Sequence, residues 1–145
     1  EYANEEIDVL KTVTMLLIHD LVEIDAGDTY AYDEEAKKTQ AAREKAAADR
    51  IFSLLPDDLA VKFRSLFDEF EARESKEAKF ARTMDNIQPI MLNAASDGKS
   101  WAEKGVHLSQ ILERNRRTSE GSSSLWDSAY NEYIEPNIEK GKIKR

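Results

Sequence analysis

Apolar residues recur at steps of three and four along nearly the whole chain, and strict alternation is absent. Leu10, Val13, Leu17 and Leu21 mark one such stripe, which predicts a helix over residues 5–25 with that face buried. Gly27 suits a left-handed cap at its end, and an acidic loop with Asp28, Tyr30, Tyr32 and Asp33 follows. Next comes an alanine-rich helix through Ala41, Ala42, Ala46, Ala47, Ile51 and Leu54, stopped by Pro56. Asp57 is placed to cap a helix bearing Leu59, Phe63, Leu66, Phe67 and Phe70. Ser75 begins another, with Phe80, Met84, Ile87 and Met91 as its buried stripe.

The rest of the chain continues the pattern. Asp97-Gly98 reads as a turn, Ser100 with Glu103 as a capping box, and Gly105 as an early stop. A helix is expected over residues 108–117, then a Ser/Gly loop over 119–124. Leu125, Trp126, Ala129, Tyr133 and Ile134 mark a terminal helix, and residues 141–145 read as a frayed tail. The chain has only 5 glycines and 3 prolines, so an all-α fold is expected, with one domain over the 145 residues.

Charge and composition narrow the function. Lys and Arg total 21 against 29 Asp and Glu, a formal charge of −8, which disfavours a nucleic-acid polymer as partner. With no cysteine there are neither disulfides nor thiolate metal ligands. No apolar stretch approaches a membrane span, and the start at Glu1-Tyr2 shows no signal peptide, so a cytoplasmic protein without membrane association is expected.

Candidate chemistry sits where the first apolar stripe ends. His19 and Asp20 are adjacent, with Glu23, Asp25 and Asp28 close behind. An imidazole nitrogen and a carboxylate oxygen are good ligands for Zn, Mn, Fe or Co, and carboxylates also admit Mg. On a helix His19 and Glu23 are one turn apart and Asp20 and Glu23 are i, i+3, so all three can lean toward one point. A His-Asp pair alone is more often an ordinary helix face, and it is the ordered set His19, Asp20, Glu23, Gly27 and Asp28 that favours the metal reading.

Asp85 stands at the border of a later apolar stripe, four residues before Pro89, whose ring removes the usual bond to the Asp85 carbonyl and bends a helix there. A tolerated proline beside a surface Asp is the plainer reading. Arg82 can face a phosphate or pair with a neighbouring carboxylate, and His107 reads as structural.

With His19-Asp20, Glu23, Gly27-Asp28-Thr29, Asp85-Asn86-Ile87-Gln88-Pro89 and Trp101 in this order, the chain resembles the HD-domain metal-dependent phosphohydrolases. Within them it is similar to the branch that includes the 5′-deoxynucleotidases. The resemblance implies an HD-domain helical bundle and a divalent cation (Mn, Co, Zn, Fe or Mg) on His19, Asp20 and Asp85. It also implies a further His from a helix preceding Glu1; His107 lies after Asp85 and does not fit that place. Without that His, weak metal binding and low activity are expected of residues 1–145.

The activity implied is removal of phosphate from nucleoside 5′-monophosphates, deoxyribonucleotides foremost. Glu23 would orient or deprotonate the attacking water, or else orient His19. Asp28 would protonate the leaving oxygen, and Asp28, Thr29 and Arg82 would contact substrate. The competing function is a non-catalytic HD-fold module that binds a nucleotide or a partner chain. A homodimer is expected, with Trp126, Tyr130 and Tyr133 as a contact surface.

Overall fold

Asp8 starts the first helix: its carboxylate accepts a hydrogen bond from the Lys11 N–H at 2.9 Å, satisfying a donor the helix leaves open. The helix, α1 (Val9–Ile18), ends sooner than the sequence pattern predicts. In this computed structural model, which describes residues 1–30 and 32–145 with residues 34 and 37 by backbone alone, a 3-10 turn occupies His19–Val22. A single α-helical turn, α2 (Glu23–Ala26), follows. The remaining helices are α3 (Glu34–Phe52), α4 (Asp57–Ala72), α5 (Lys76–Ala95), α6 (Lys99–Lys104), α7 (Leu108–Arg114), α8 (Ser123–Ala129) and α9 (Glu135–Glu139). A 3-10 turn at Thr118–Glu120 precedes α8, and a π-helical turn at Tyr130–Ile134 joins it to α9. The all-α expectation holds, and no helix among the described residues is long and apolar enough to cross a membrane.

The packing divides into two compact units, residues 8–78 and residues 1–7 with 79–145. In the first, α3 packs on α2, on the His19–Val22 turn and on α4, and α1 packs on α4. Val22, Ala47, Ala48, Phe52 and Phe67 form its centre, with Ala26, Ile51, Leu55 and Phe63 against them. The alanines of α3 let the backbone of its neighbours approach closely, which explains an otherwise weakly amphipathic helix.

The face of α1 turned to this core is not the predicted one. Thr12, Met15 and Ile18 are buried, whereas Leu10, Val13, Leu17 and Leu21 are exposed, Leu17 to 74%. Both sets keep a three-to-four-residue step, so the spacing alone could not choose between them. Met15→Ala is expected to cost about 2–5 kcal/mol in urea unfolding, whereas Leu17→Glu should stay within about 0.5 kcal/mol. Comparable losses for the two would restore the predicted stripe. The N-terminus of α1 is held by the buried Glu77, which accepts the Asp8 N–H at 3.0 Å, and by the Lys11–Glu69 ion pair at 2.6 Å.

In the second unit Ala81, Ile87, Ile90, Trp101, Val106, Ile111, Ala129, Ile134 and Ile143 are buried. The buried side of α5 is rotated from the expected stripe: Phe80 and Met84 are half-buried and Met91 is exposed. Three terminal expectations also change. Pro56, not Asp57, is the N-cap of α4, and Gly98 caps α6, while the capping box belongs to His107 and Gln110 at α7. The tail is not frayed, because Ile143 is buried and Lys144 exchanges backbone bonds with Val106 and Leu108 at 3.0 and 2.7 Å. The Ser/Gly stretch is ordered too: Ser122 is buried and caps α8 through the Leu125 N–H at 3.2 Å.

Candidate metal centre

The change from α to 3-10 winding falls on the His-Asp doublet, and it alters how the doublet meets Glu23. A 3-10 turn has three residues per turn, so positions i and i+3 eclipse, bringing Asp20 and Glu23 to one side. His19 is drawn inward, its side chain 12% exposed against 66% for Asp20. The imidazole lies against the fully buried Phe70 ring, with centroids 4.7 Å apart.

The imidazole Nδ1 is 2.8 Å from the Leu16 carbonyl oxygen. A carbonyl only accepts, so Nδ1 carries the proton and donates it. Nε2 then presents its lone pair, and Asp20 Oδ1 is 2.9 Å away. Two lone pairs at that range repel unless a proton or a cation lies between them. Ligands each about 2.1 Å from one ion stand roughly 3 Å apart when they occupy adjacent positions. The donors therefore fit two adjacent positions of a divalent cation, and the imidazole–carboxylate combination suits Zn, Mn, Fe or Co. The Leu16 carbonyl is the outer hydrogen-bond partner such a ligand uses to fix its tautomer.

Glu23 is held in a field of like charge. Its pKa is raised, first by burial and then by Asp20, Asp28 and Glu44, while His19 acts in the opposite sense. A carboxylate above its ordinary range takes a proton more readily. Asp28 is exposed, and the Thr29 hydroxyl oxygen accepts from Arg43 Nη2 at 2.8 Å.

Two arginines of α3 pin this segment. Arg43 also donates to the Ala26 carbonyl, and Arg50 grips both oxygens of Asp25, lowering the pKa of that carboxyl chiefly through the hydrogen bond. Between them Gly27 adopts φ 76° and ψ 148°, a positive-φ extended conformation and not the left-handed cap expected.

Asp85 belongs to the second unit. It lies half-buried on α5, and its Oδ2 accepts from Arg82 Nη1 at 3.0 Å. Pro89 is inside the same helix, as the sequence requires. His107 is exposed, at the N-terminus of α7 with Nδ1 3.3 Å from the Arg145 carbonyl oxygen. Among the described residues no group of three or more His, Cys, Asp or Glu is gathered so that it could hold a metal ion. His19 and Asp20 are the donors that meet.

Phe70, Arg43, Arg50 and Glu44 were missed in the sequence. Arg43 and Arg50 are seven residues apart on an alanine-rich helix, two full turns on one face, and that spacing was the available signal.

A family model described as HD domain matches residues 1–126. The 5′-deoxynucleotidase HDDC2 of Homo sapiens is 35% identical over 81 residues, 56% of this chain and 40% of the relative. Its counterpart in Xenopus laevis is 33% identical over 81 residues, with 56% and 40% covered. That of Dictyostelium discoideum is 30% identical over 88 residues, with 61% and 46% covered. The chain thus spans less than half the length of the curated relatives it matches. A solved structure, described as a predicted metal-dependent phosphohydrolase from Magnetospirillum magnetotacticum MS-1, is 37% identical with a TM-score of 0.91. It is matched over 99% of this chain and 71% of that one. The expectation of an HD-type helical bundle is met by that likeness.

Proposed function

Since the chain belongs to the HD-domain family, we propose that it acts in the cytoplasm as a metal-dependent phosphomonoesterase on nucleoside 5′-monophosphates, deoxyribonucleotides foremost. The observation that carries this reading is the imidazole of His19, tied through Nδ1 to Leu16 and presenting Nε2 beside Asp20 Oδ1 at 2.9 Å. The relatives named 5′-deoxynucleotidase and the neighbour described as a metal-dependent phosphohydrolase support it. His19 and Asp20 would hold the cation with Asp85 as a further carboxylate ligand. Bound there, a divalent cation supplies an acidified water and polarises a phosphoryl oxygen.

The protein groups do the rest. Leu16 and Phe70 fix the His19 ring. Because Leu16 already orients that ring, Glu23 is left for the water, whose proton its carboxylate takes. Arg43 and Arg50 hold the loop carrying Asp28 and Thr29, the groups assigned to the leaving oxygen and the sugar.

Glu23→Gln separates activity from stability. Phosphate release should fall about a hundredfold or more, the scale of a lost general base. The folded protein holds the Glu23 pKa above its ordinary 4.5, so protonation favours the fold. That contribution is present below pH 4.5 and lost as pH rises through the raised value. The ionised group therefore weakens the fold at neutral pH. Glu23→Gln should gain about 0.2–0.5 kcal/mol there for each like-charge pair relieved, and nothing in acid, as read by urea unfolding at pH 7 and pH 4. A loss of stability at pH 7 would contradict it.

The function itself is tested by phosphate release from a panel of ribo- and deoxyribonucleoside monophosphates, using the full-length protein loaded in turn with Mn, Co, Zn, Fe and Mg. Turnover of deoxyribonucleotides that ceases with chelator is expected. Binding without phosphate release would establish the non-catalytic nucleotide-binding module instead. Homodimerisation belongs to the same reading, with the neighbouring rings of Trp126 and Tyr130 in the contact. Sedimentation should return a dimer, and a monomer would overturn that part.

A further inference from the structure

The aromatic rings of α3 and α4 turn inward: Phe52 and Phe67 lie in the core of the unit 8–78, Phe63 packs against them and Phe70 is fully buried. Tyr30 and Tyr32, in the segment between α2 and α3 of the same unit, do not follow them. Tyr30 is 41% exposed and Tyr32 half-buried, and their rings meet edge to face, with centroids 5.5 Å apart and planes at 77°. An edge-to-face contact covers at most one face of one ring, so it braces the pair and leaves the other flat faces uncovered by it.

The backbone that carries Tyr30 is fastened on both sides. Arg43 donates to the Ala26 carbonyl and, at 2.8 Å, to the Thr29 hydroxyl oxygen. The Tyr30 carbonyl accepts the Asp33 N–H at 2.9 Å. Asp33 in turn caps α3, accepting the Glu35 and Ala36 N–H groups at 3.1 and 3.0 Å. None of these bonds uses the Tyr30 side chain, so a substitution there leaves them in place.

The position of Tyr30 bears on the chemistry. The Asp28 carboxylate lies close enough to Glu23 to act on its charge, and Tyr30 is two residues further along, its Cα within about 7 Å of that of Asp28. A nucleoside monophosphate carries its phosphate at one end and a flat base at the other. With the phosphate at Glu23 and Asp28, an exposed aromatic ring one or two residues beyond is a surface on which that base can rest.

We propose that Tyr30, braced by Tyr32, is the platform on which the base of the nucleotide stacks while its phosphate is directed to Glu23 and Asp28. This rests on the reading of the protein as a nucleotide phosphomonoesterase, and it assigns the group that recognises the base. Every base has a π-face, so the platform favours nucleotides over base-free sugar phosphates without choosing one base.

The test compares deoxyadenosine 5′-monophosphate with deoxyribose 5-phosphate, the same ester without its base, as substrates of the Mn-loaded full-length protein and its Tyr30→Ala and Tyr30→Phe variants. Stacking of one base on an aromatic ring corresponds to about 5–150-fold in affinity. Tyr30→Ala should lower kcat/KM for the nucleotide by that factor, chiefly through KM, and lower the preference over the sugar phosphate to match. Tyr30→Phe keeps the flat face and should hold the preference to within about threefold.

Unchanged preference in Tyr30→Ala overturns the proposal. An equal loss on both substrates does so too, since it would make Tyr30 a support of the segment that carries Asp28. A Tyr30→Phe loss as large as that of Tyr30→Ala would also overturn it, by placing the phenol oxygen and not the ring in the contact. A parent protein that hydrolyses neither ester ends the hydrolase reading by a separate result. The platform is then judged by calorimetric titration with the nucleotide: binding weakened about 5–150-fold in Tyr30→Ala sustains it, and equal or absent binding overturns it.

Discussion

His19→Ala is expected to abolish metal-dependent phosphate release by the full-length protein, a loss of about 10⁴-fold or more, while leaving the helical fold in place. The magnitude follows from the role. A residue that only supports a ligand costs about 10–100-fold when removed, whereas groups that act as one catalytic unit cost far more. In His19 one nitrogen is committed to the Leu16 carbonyl and the other faces Asp20, so no neighbouring group can replace it. The substitution should also weaken Mn binding strongly. Retained turnover with retained Mn affinity would remove His19 from the site. The fold is checked by far-ultraviolet circular dichroism, which should remain helical.

Phe70→Ala should be the most damaging single change to the stability of the first unit, at about 3–5 kcal/mol in urea unfolding. Phe70 is fully buried, and its ring lies against the His19 imidazole at 4.7 Å between centroids. Loss of that contact removes one restraint on the imidazole, so metal affinity should fall together with stability. Phe70→Leu fills much of the space and should recover most of the stability but less of the affinity, since a branched aliphatic group does not offer a flat face. Full recovery of both would show that only the volume at position 70 matters.

The all-helical architecture and the doublet were visible in the sequence for a common reason: each is encoded locally. The three-to-four-residue period and the adjacency of His19 and Asp20 need no knowledge of what lies across the core. What packs against a helix is a different matter. Leu10, Val13 and Leu17 and the set Thr12, Met15 and Ile18 fit the same period, and only the position of α4 decides that the second set is buried. The break into a 3-10 turn at His19 was equally hidden, because no proline or glycine marks it.

Tertiary partners account for the other differences. Ile143 is buried and its tail pairs with the backbone around Val106 and Leu108, contacts between residues over thirty positions apart that composition does not announce. Phe70 read simply as a core residue of α4, and its place beside the imidazole depends on how α1 and α4 cross-pack. Arg43 and Arg50 lie on a helix that otherwise reads as surface and alanine. Their partners, the Ala26 carbonyl, Thr29 and Asp25, are 14 to 25 residues away.

The proposed activity depends on whether the Nε2 nitrogen of His19 and the carboxylate of Asp20 hold a divalent cation. The most direct measurement is calorimetric titration of Mn into the metal-free full-length protein and into its His19→Ala and Asp20→Asn variants under identical conditions. The expected result is saturable binding with one ion per chain in the parent protein, weakened at least about a hundredfold by either substitution. Equal affinity in all three proteins would show that the ion binds elsewhere, and that the close approach of His19 and Asp20 is a hydrogen bond of the fold and not a metal site.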